Sequence, residues 1–277
     1  MTAHICVTCG VQQADRHDFP ERCAICEDER QFVGLSGQGW TTLGDMNGHF
    51  RNVLVELEPG LVRIATEPEF AIGQYAFLVR IPSGNLLWDC VTYLDEETIA
   101  AVRALGGIDA IAISHPHFYA TCVEWSQSFN NAPIFLSAAD RAFVMRPSPA
   151  IVSFEGDEAE PLQGLRALRL GGHFHGATVL HWPTGADGRG VLLTGDTIAL
   201  VADPRSVTFM YSYPNRIPLP ASAIRDLTGR VLRYDFDRIY PSAPVRPDNV
   251  MLSDAKDAVR RSAERYVGML EGTWARK

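Results

Sequence analysis

Short apolar runs at 52–57 and 61–66 flank Pro59-Gly60, and that arrangement predicts a β-hairpin. A second pair of runs, 74–81 and 85–89, flanks Pro82-Ser83-Gly84 and predicts another. Over 95–105 the spacing becomes helical: Ile99, Val102 and Leu105 form one stripe, and Gly106-Gly107 is the stop. Residues 108–113 are almost wholly apolar and predict a short buried strand. Further strands are expected at 133–136, 165–170, 178–182 and 191–193. Helices are expected near 119–129, 138–145, 219–233 and 253–270. In the last of these, Ala255, Val259, Ala263 and Val267 recur every four residues, with charges on the other face. There are no internal repeats. Strands come first and then mix with helices, which argues for a layered α+β domain over a regularly alternating parallel fold.

Composition adds limits. The chain has 277 residues, 46% of them hydrophobic, enough for a sizeable core in one large domain or two unequal ones. Lys plus Arg is 25 against 33 for Asp plus Glu, a formal charge of -8. That balance argues against nucleic-acid or membrane-surface partners, which need clustered positive charge, and leaves a small-molecule substrate as the expected partner. No apolar run approaches the roughly 18 to 20 residues that span a bilayer. The first residues, MTAHICVTCG, lack a basic n-region and an apolar h-region, so a cytoplasmic location is expected. Oligomeric state is not legible.

Four of the six cysteines form two pairs, Cys6/Cys9 and Cys23/Cys26, separated by thirteen residues. Each C-x-x-C turn presents two thiolates to one side, and two such turns complete a tetrahedral S₄ site. Gly10, Asp18 and Pro20 suit the loop between them. A module of about thirty residues has almost no core, so a bound metal would supply most of its folding energy. Residues 1–32 are therefore expected as a small zinc-ribbon-like module, divided from residues 33–277 by a Gly-rich stretch at 34–39. Four thiolates leave no open position, so the role expected is structural. Cys6-Val7-Thr8-Cys9-Gly10 resembles a rubredoxin knuckle, whereas Glu27 after the second pair replaces the matching glycine, which favours zinc over iron. Cys90 and Cys122 read as small core residues.

Three strand ends carry residues that hold metals. The first is Ser114-His115-Pro116-His117, where positions i and i+2 of an extended segment point the same way, so the histidines can share an ion. The second is Gly171-Gly172-His173-Phe174-His175, a histidine pair in a glycine-rich turn. The third is Leu193-Thr194-Gly195-Asp196, an apolar strand delivering a carboxylate.

These elements, with Leu87-Trp88-Asp89 after the second hairpin, resemble the metallo-β-lactamase-fold hydrolases over roughly residues 50–245. The resemblance implies a four-layer αββα sandwich with its metal site at one edge of two sheets. It departs from the family's His-x-His-x-Asp-His hallmark, because Tyr119 and Ala120 stand at the last two positions. The late strand region Ile239-Tyr240-Pro241-Ser242-Ala243-Pro244-Val245 also lacks the family's final histidine. The missing groups belong to the second metal position. The first position keeps His115, His117 and His173, and the bridging carboxylate Asp196 is kept too, which implies one metal ion at the core site, zinc or else iron.

On that reading the chain is expected to be a mononuclear zinc hydrolase of a small ester, thioester, lactone or phosphoester. Asp196 would orient water or accept its proton, and Tyr119 would hydrogen-bond an oxyanion or leaving group. The segment 203–220 is rich in proline, aromatics and arginine and is expected to wall the pocket, with Arg205, Tyr211 and Arg216 available to substrate. His175 is expected beside the site or at the surface. Two alternatives stand: a non-haem iron dioxygenase using His115, His173 and Asp196 as a facial triad, and a non-catalytic zinc-binding scaffold.

Overall fold

The computed structural model of the chain describes residues 2–243 and 250–275; Pro244 and Val245 lie outside the described residues. Among the described residues twelve strands build the two main sheets, and in both of them neighbours in sequence are neighbours in space, apart from one crossover. The larger sheet contains β1 (Arg51–Glu58), β2 (Leu61–Glu67), β3 (Ala76–Ile81), β4 (Gly84–Trp88), β5 (Ala110–Ala112), β6 (Ile134–Ser137) and β7 (Ile151–Phe154). Its first four strands form an antiparallel meander, and β4 to β7 pair parallel. The smaller sheet contains β8 (Glu158–Leu162), β9 (Leu165–Arg169), β10 (Thr178–Trp182), β11 (Val191–Leu193) and β12 (Arg238–Tyr240). Here β8 to β11 run antiparallel, and β12 joins β11 in parallel after the long crossover.

Strand alternation divides the core into layers. Phe77, Val79, Leu86, Trp88, Ala110 and Ala112 face one way and meet Leu180, Trp182, Val191, Leu193 and Tyr240 of the other sheet. Their neighbours Leu78, Leu87 and Ile111 face the other way, towards helices α1 (Glu96–Ala104) and α2 (Cys122–Ser128). Val179, Leu192 and Ile239 do the same for α3 (Ala221–Val231) and α4 (Ala255–Leu270). The result is the αββα sandwich. Each fully buried aliphatic or aromatic side chain contributes about 1.5–3 kcal/mol of transfer free energy, so period-two alternation is what holds the sheets face to face.

The expected hairpins and α1 are present within one or two residues. Asp95 caps α1, its Oδ1 accepting the Thr98 N–H at 2.8 Å. The helix expected at 138–145 is instead a six-residue 3₁₀ turn, Ala138–Phe143. Asp140 departs from helical geometry there, and its Oδ1 accepts the Gly176 N–H at 2.9 Å. Strands β7 and β8 were not expected. They sit at sheet edges, half exposed, and so carry no continuous apolar pattern. Among the described residues no helix is long and apolar enough to cross a membrane.

The Cys-rich segment packs on the sandwich. Ile5–Cys6 pairs antiparallel with Trp40–Thr41, so chain beyond residue 32 returns to the cysteine knot. Gln12 N–H donates to Ala120 O, Ala14 N–H to Met145 O, and Thr92 Oγ1 to Gly10 O, each at 3.0 Å. The four cysteines belong to the same apolar cluster as the α1–α2 face of the large sheet.

Candidate metal centre

The turn after β5 brings His115 and His117 together. The strand ends at Ala112, and Pro116 opens a 3₁₀ turn, Pro116–Phe118, with His115 extended just before it. The pair therefore converges through a turn and not through strand alternation, and it presents unlike atoms, Nε2 of His115 and Nδ1 of His117. Asp89 anchors the approach: its Oδ1 accepts the Ser114 N–H at 2.7 Å, and its Oδ2 accepts the Ser242 hydroxyl. Burial pushes the Asp89 carboxyl up to about 6, although both hydrogen bonds oppose the shift.

His173 arrives from the loop between β9 and β10. Gly171 and Gly172 precede it at φ +71° and +84°, a left-handed conformation that glycine adopts without strain. A Cβ on Gly172 would meet Leu219 at 3.0 Å. Asp196 follows β11. Gly195 has φ +51°, and a Cβ there would lie 2.5 Å from Ser114 Oγ, so only glycine lets this turn close on the histidine turn.

His115, His117, His173 and Asp196 each offer one ligand atom, all within 4.8 Å of one another. Asp196 Oδ2 lies 3.5 Å from His115 Nε2, 4.0 Å from His117 Nδ1 and 3.7 Å from His173 Nε2. His173 Nε2 and His117 Nδ1 are 3.3 Å apart. Tetrahedral zinc with N and O ligands has ligand–ligand edges of about 3.4 Å, so the four atoms fit one ion of that size.

The hydrogen bonds point the same way. His173 Nδ1 lies 3.2 Å from Met210 O. A carbonyl only accepts, so Nδ1 carries the proton and Nε2 turns a lone pair towards the cluster. His115 Nδ1 is 2.9 Å from Ser114 Oγ, while its buried Nε2 has no hydrogen-bond partner. Burial pushes His117 down to about 4 and His173 well below the usual histidine range, with the other histidines adding to both shifts. Neutral imidazoles are what metal ligation requires. Burial opposes ionisation of Asp196, but His115 and His117 outweigh it and hold the carboxyl well below the usual range.

The cluster lies at a cleft of about 440 Å³. His117, His173 and Asp196 line it, with Phe118, Ile72, Leu200 and Pro214 as apolar walls. Thr8, Gln31 and Phe32 of the Cys-rich segment complete it. In that segment Cys6 and Cys26 Sγ are 3.5 Å apart, and Cys9 and Cys23 Sγ are 3.7 Å apart. These separations match the edge of about 3.8 Å of a tetrahedron with metal–sulfur bonds near 2.3 Å, and are far beyond a disulfide bond. All four thiols are free and buried.

Other expected site residues lie elsewhere. Tyr119 does not line the cleft: it is buried beside Val11, Ala120, Cys122 and Leu136, and burial raises its phenol well above the usual range. His175 is exposed. Arg205 is exposed and paired with Asp203 at 3.1 Å. Arg216 is exposed too, at φ +55°. Tyr211 donates its hydroxyl to Glu29 Oε1 at 2.6 Å, so at this point the 203–220 segment clasps the Cys-rich segment, while its Tyr213 and Pro214 line the cleft as expected. Two residues at the cluster were not anticipated. Tyr213 lines the cleft and donates its hydroxyl to the Asp196 carbonyl at 2.9 Å. Arg30 lies over Phe174, 3.8 Å from the ring centroid, beneath the histidines. Tyr213 sits in the aromatic-rich segment that the sequence marks; nothing in the sequence marks Arg30.

No family model matches the chain. Uncharacterized protein YmaE of Bacillus subtilis (strain 168) is 49% identical over 272 residues, covering 98% of this chain and 97% of that protein. Among solved structures, VMB-1 superposes with a TM-score of 0.59 at 12% identity, over 79% of this chain and 98% of its own. The DIM-1 metallo-β-lactamase exposed to ceftazidime gives a TM-score of 0.57 at 11% identity, over 77% of this chain and 97% of its own. At such identities the likeness is one of fold. The chain thus has the metallo-β-lactamase fold, and its identity to YmaE along nearly its whole length makes it a member of the YmaE family.

Proposed function

We propose that the protein is a mononuclear metal-dependent hydrolase, with zinc as the ion, acting on a small ester, thioester or lactone. The observation that carries this is the convergence of His115 Nε2, His117 Nδ1, His173 Nε2 and Asp196 Oδ2 at one open cleft. These residues would hold a divalent ion, which when bound would supply Lewis acidity and a nucleophile at neutral pH. A catalytic zinc keeps one position for water, so the three histidines would hold the ion with Asp196 beside the open position, whereas a facial triad would use only two of the histidines.

The protein's own groups do the rest. Ser114 and Met210 O orient the imidazoles of His115 and His173. Asp196 is the acidic residue of the described lining and is held ionised by His115 and His117, so it would accept a hydrogen bond from an attacking water and orient it. Ile72, Phe118, Leu200 and Pro214 exclude water and offer an apolar surface to an acyl chain. The apolar walls favour a carboxylic ester, thioester or lactone over the phosphoester that the sequence left open.

The test is hydrolysis of p-nitrophenyl acetate, butyrate and hexanoate and of bis-p-nitrophenyl phosphate, by wild type, His115→Ala and His173→Ala, with and without chelator. Ester hydrolysis should fall at least 10²-fold in both variants, as expected for losing a positioned catalytic group. Hydrolysis at the wild-type rate in both variants would overturn the proposal.

A further inference from the structure

We infer that Arg30 is a positioning residue of the His cluster, delivered to it by the cysteine knot. The inference rests on the metal-binding reading of that cluster. Arg30 follows Cys26 by four residues: Glu27 N–H closes the cysteine turn on Cys23 O at 3.0 Å, and Gln31 N–H closes the next turn, which carries Arg30, on Asp28 O at 2.9 Å. Asp28 grips the guanidinium with both oxygens, at 2.6 Å to Nε and 2.7 Å to Nη2. The residue is only 8% exposed. A buried guanidinium so paired is not free to anchor an anionic substrate.

Besides Asp28 and the rings of Phe143 and Tyr211, it reaches the His cluster through two contacts. Nη1 donates to the His173 carbonyl at 3.4 Å, and the guanidinium carbon lies 3.8 Å from the Phe174 ring centroid. Phe174 is fully buried, and its ring stands edge-on to His117 at 4.9 Å and to His173 at 5.2 Å. The His173 turn needs such a clamp. Gly171 and Gly172 precede it in left-handed conformation, and two consecutive glycines give the backbone little stiffness of its own. Met210 O fixes the imidazole of His173 from one side, and Arg30 fixes its main chain from the other.

Arg30 is itself held from two directions. Ser212 Oγ donates to its carbonyl at 3.1 Å, and Asn215 Nδ2 bridges the carbonyls of Glu29 at 2.8 Å and Gln31 at 3.0 Å. The cysteine knot and the loop around Tyr213 thus pin one short segment, and that segment pins His173 and Phe174. Outer-shell groups of this kind typically change metal affinity 10- to 100-fold when removed.

The test uses the full chain with zinc in the cysteine site and cobalt(II) titrated into the other after mild chelation. Absence of thiolate-to-cobalt charge-transfer absorption shows that cobalt enters only the His cluster, whose d–d bands then report affinity and geometry. Arg30→Ala is expected to weaken cobalt binding by about tenfold or more and to shift the d–d bands, with the zinc content of the cysteine site unchanged. Arg30→Lys keeps the charge but not the planar fork and stack, so it stays weakened. If Arg30→Ala fails to fold, Asp28→Asn decides, since it keeps the guanidinium and removes only its clamp; a weakened site with shifted bands is expected there too. Cobalt affinity within twofold of wild type and unchanged bands, in whichever variant decides, would overturn the inference. A wild-type cluster that takes up no cobalt overturns the metal-binding reading beneath it as well.

Discussion

Asp89 Oδ1 accepts the main-chain N–H of Ser114 at 2.7 Å, and through that bond the end of β4 fixes the start of the His115 turn. Asp89 is fully buried, and its other oxygen takes the Ser242 hydroxyl. Asp89→Ala strands both donors and should destabilise the fold by about 2–4 kcal/mol, read by urea denaturation. Asp89→Asn should change stability by less than about 1 kcal/mol at neutral pH, because its Oδ1 still accepts from Ser114 and the Ser242 hydroxyl can turn to accept from Nδ2.

The same pair of chains gives a pH test. Burial raises the Asp89 carboxyl to about 6 in the fold, against about 4 when unfolded. A carboxyl raised in this way favours the fold when protonated, and the preference is lost as pH rises from about 4 through about 6. Wild type should therefore lose stability relative to Asp89→Asn across that window and hold a constant difference above it. A difference that is flat from pH 4 to 7 would show that Asp89 titrates normally.

Tyr213 offers a test of the cleft wall. Its hydroxyl holds the Asp196 carbonyl at 2.9 Å, and its ring centroid is 5.8 Å from that of His173. Tyr213→Phe keeps the ring and removes one hydrogen bond of about 1 kcal/mol, so kcat/KM should fall about fivefold with metal content unchanged. Tyr213→Ala also removes the wall and should raise KM for the longer esters. Equal kinetics in wild type and both variants would place substrate elsewhere.

Gly195 is where two functional turns touch. At φ +51° alanine is strained by about 1–3 kcal/mol, and the added Cβ would lie 2.5 Å from Ser114 Oγ. Gly195→Ala should lower the melting temperature and reduce metal content at the His cluster together. Retention of full metal content would mean that the Asp196 turn moves away without disturbing His115.

The candidate ligands were legible because each follows the end of an apolar strand, where type and order are both visible in the sequence. The sandwich was legible for a related reason: Leu86-Leu87-Trp88 and Val191-Leu192-Leu193 are buried on both faces and read as unbroken apolar runs. Edge strands β7 and β8 are half solvated and left no such trace. Tyr119 was expected in the site because it stands where the family carries a ligand, yet its ring turns into the core beside Leu136. Arg205 and Arg216 looked like anion anchors by residue type alone, and both are exposed. Arg30 was invisible because its importance comes from a contact 143 residues away along the chain, with the carbonyl of His173. Long-range packing of that kind has no local period to read.

The six cysteines should divide by reactivity into four and two. Burial pushes the Cys122 thiol up to about 12 and the Cys90 thiol well above the usual range. A thiol of pKa near 12 is ionised to only about one part in 10⁴ at pH 8, and the thiolate is the nucleophile. Cys6, Cys9, Cys23 and Cys26 face one another and are protected by coordination when metal is bound. With metal bound, a disulfide reagent at pH 8 should therefore find almost no reactive thiol. Chelation should release four that react quickly, and unfolding should be needed for the last two. Six fast thiols in the native chain would contradict the burial of Cys90 and Cys122. Four that stay silent after chelation, but appear on reduction, would mean the knot is held by disulfides and not by metal.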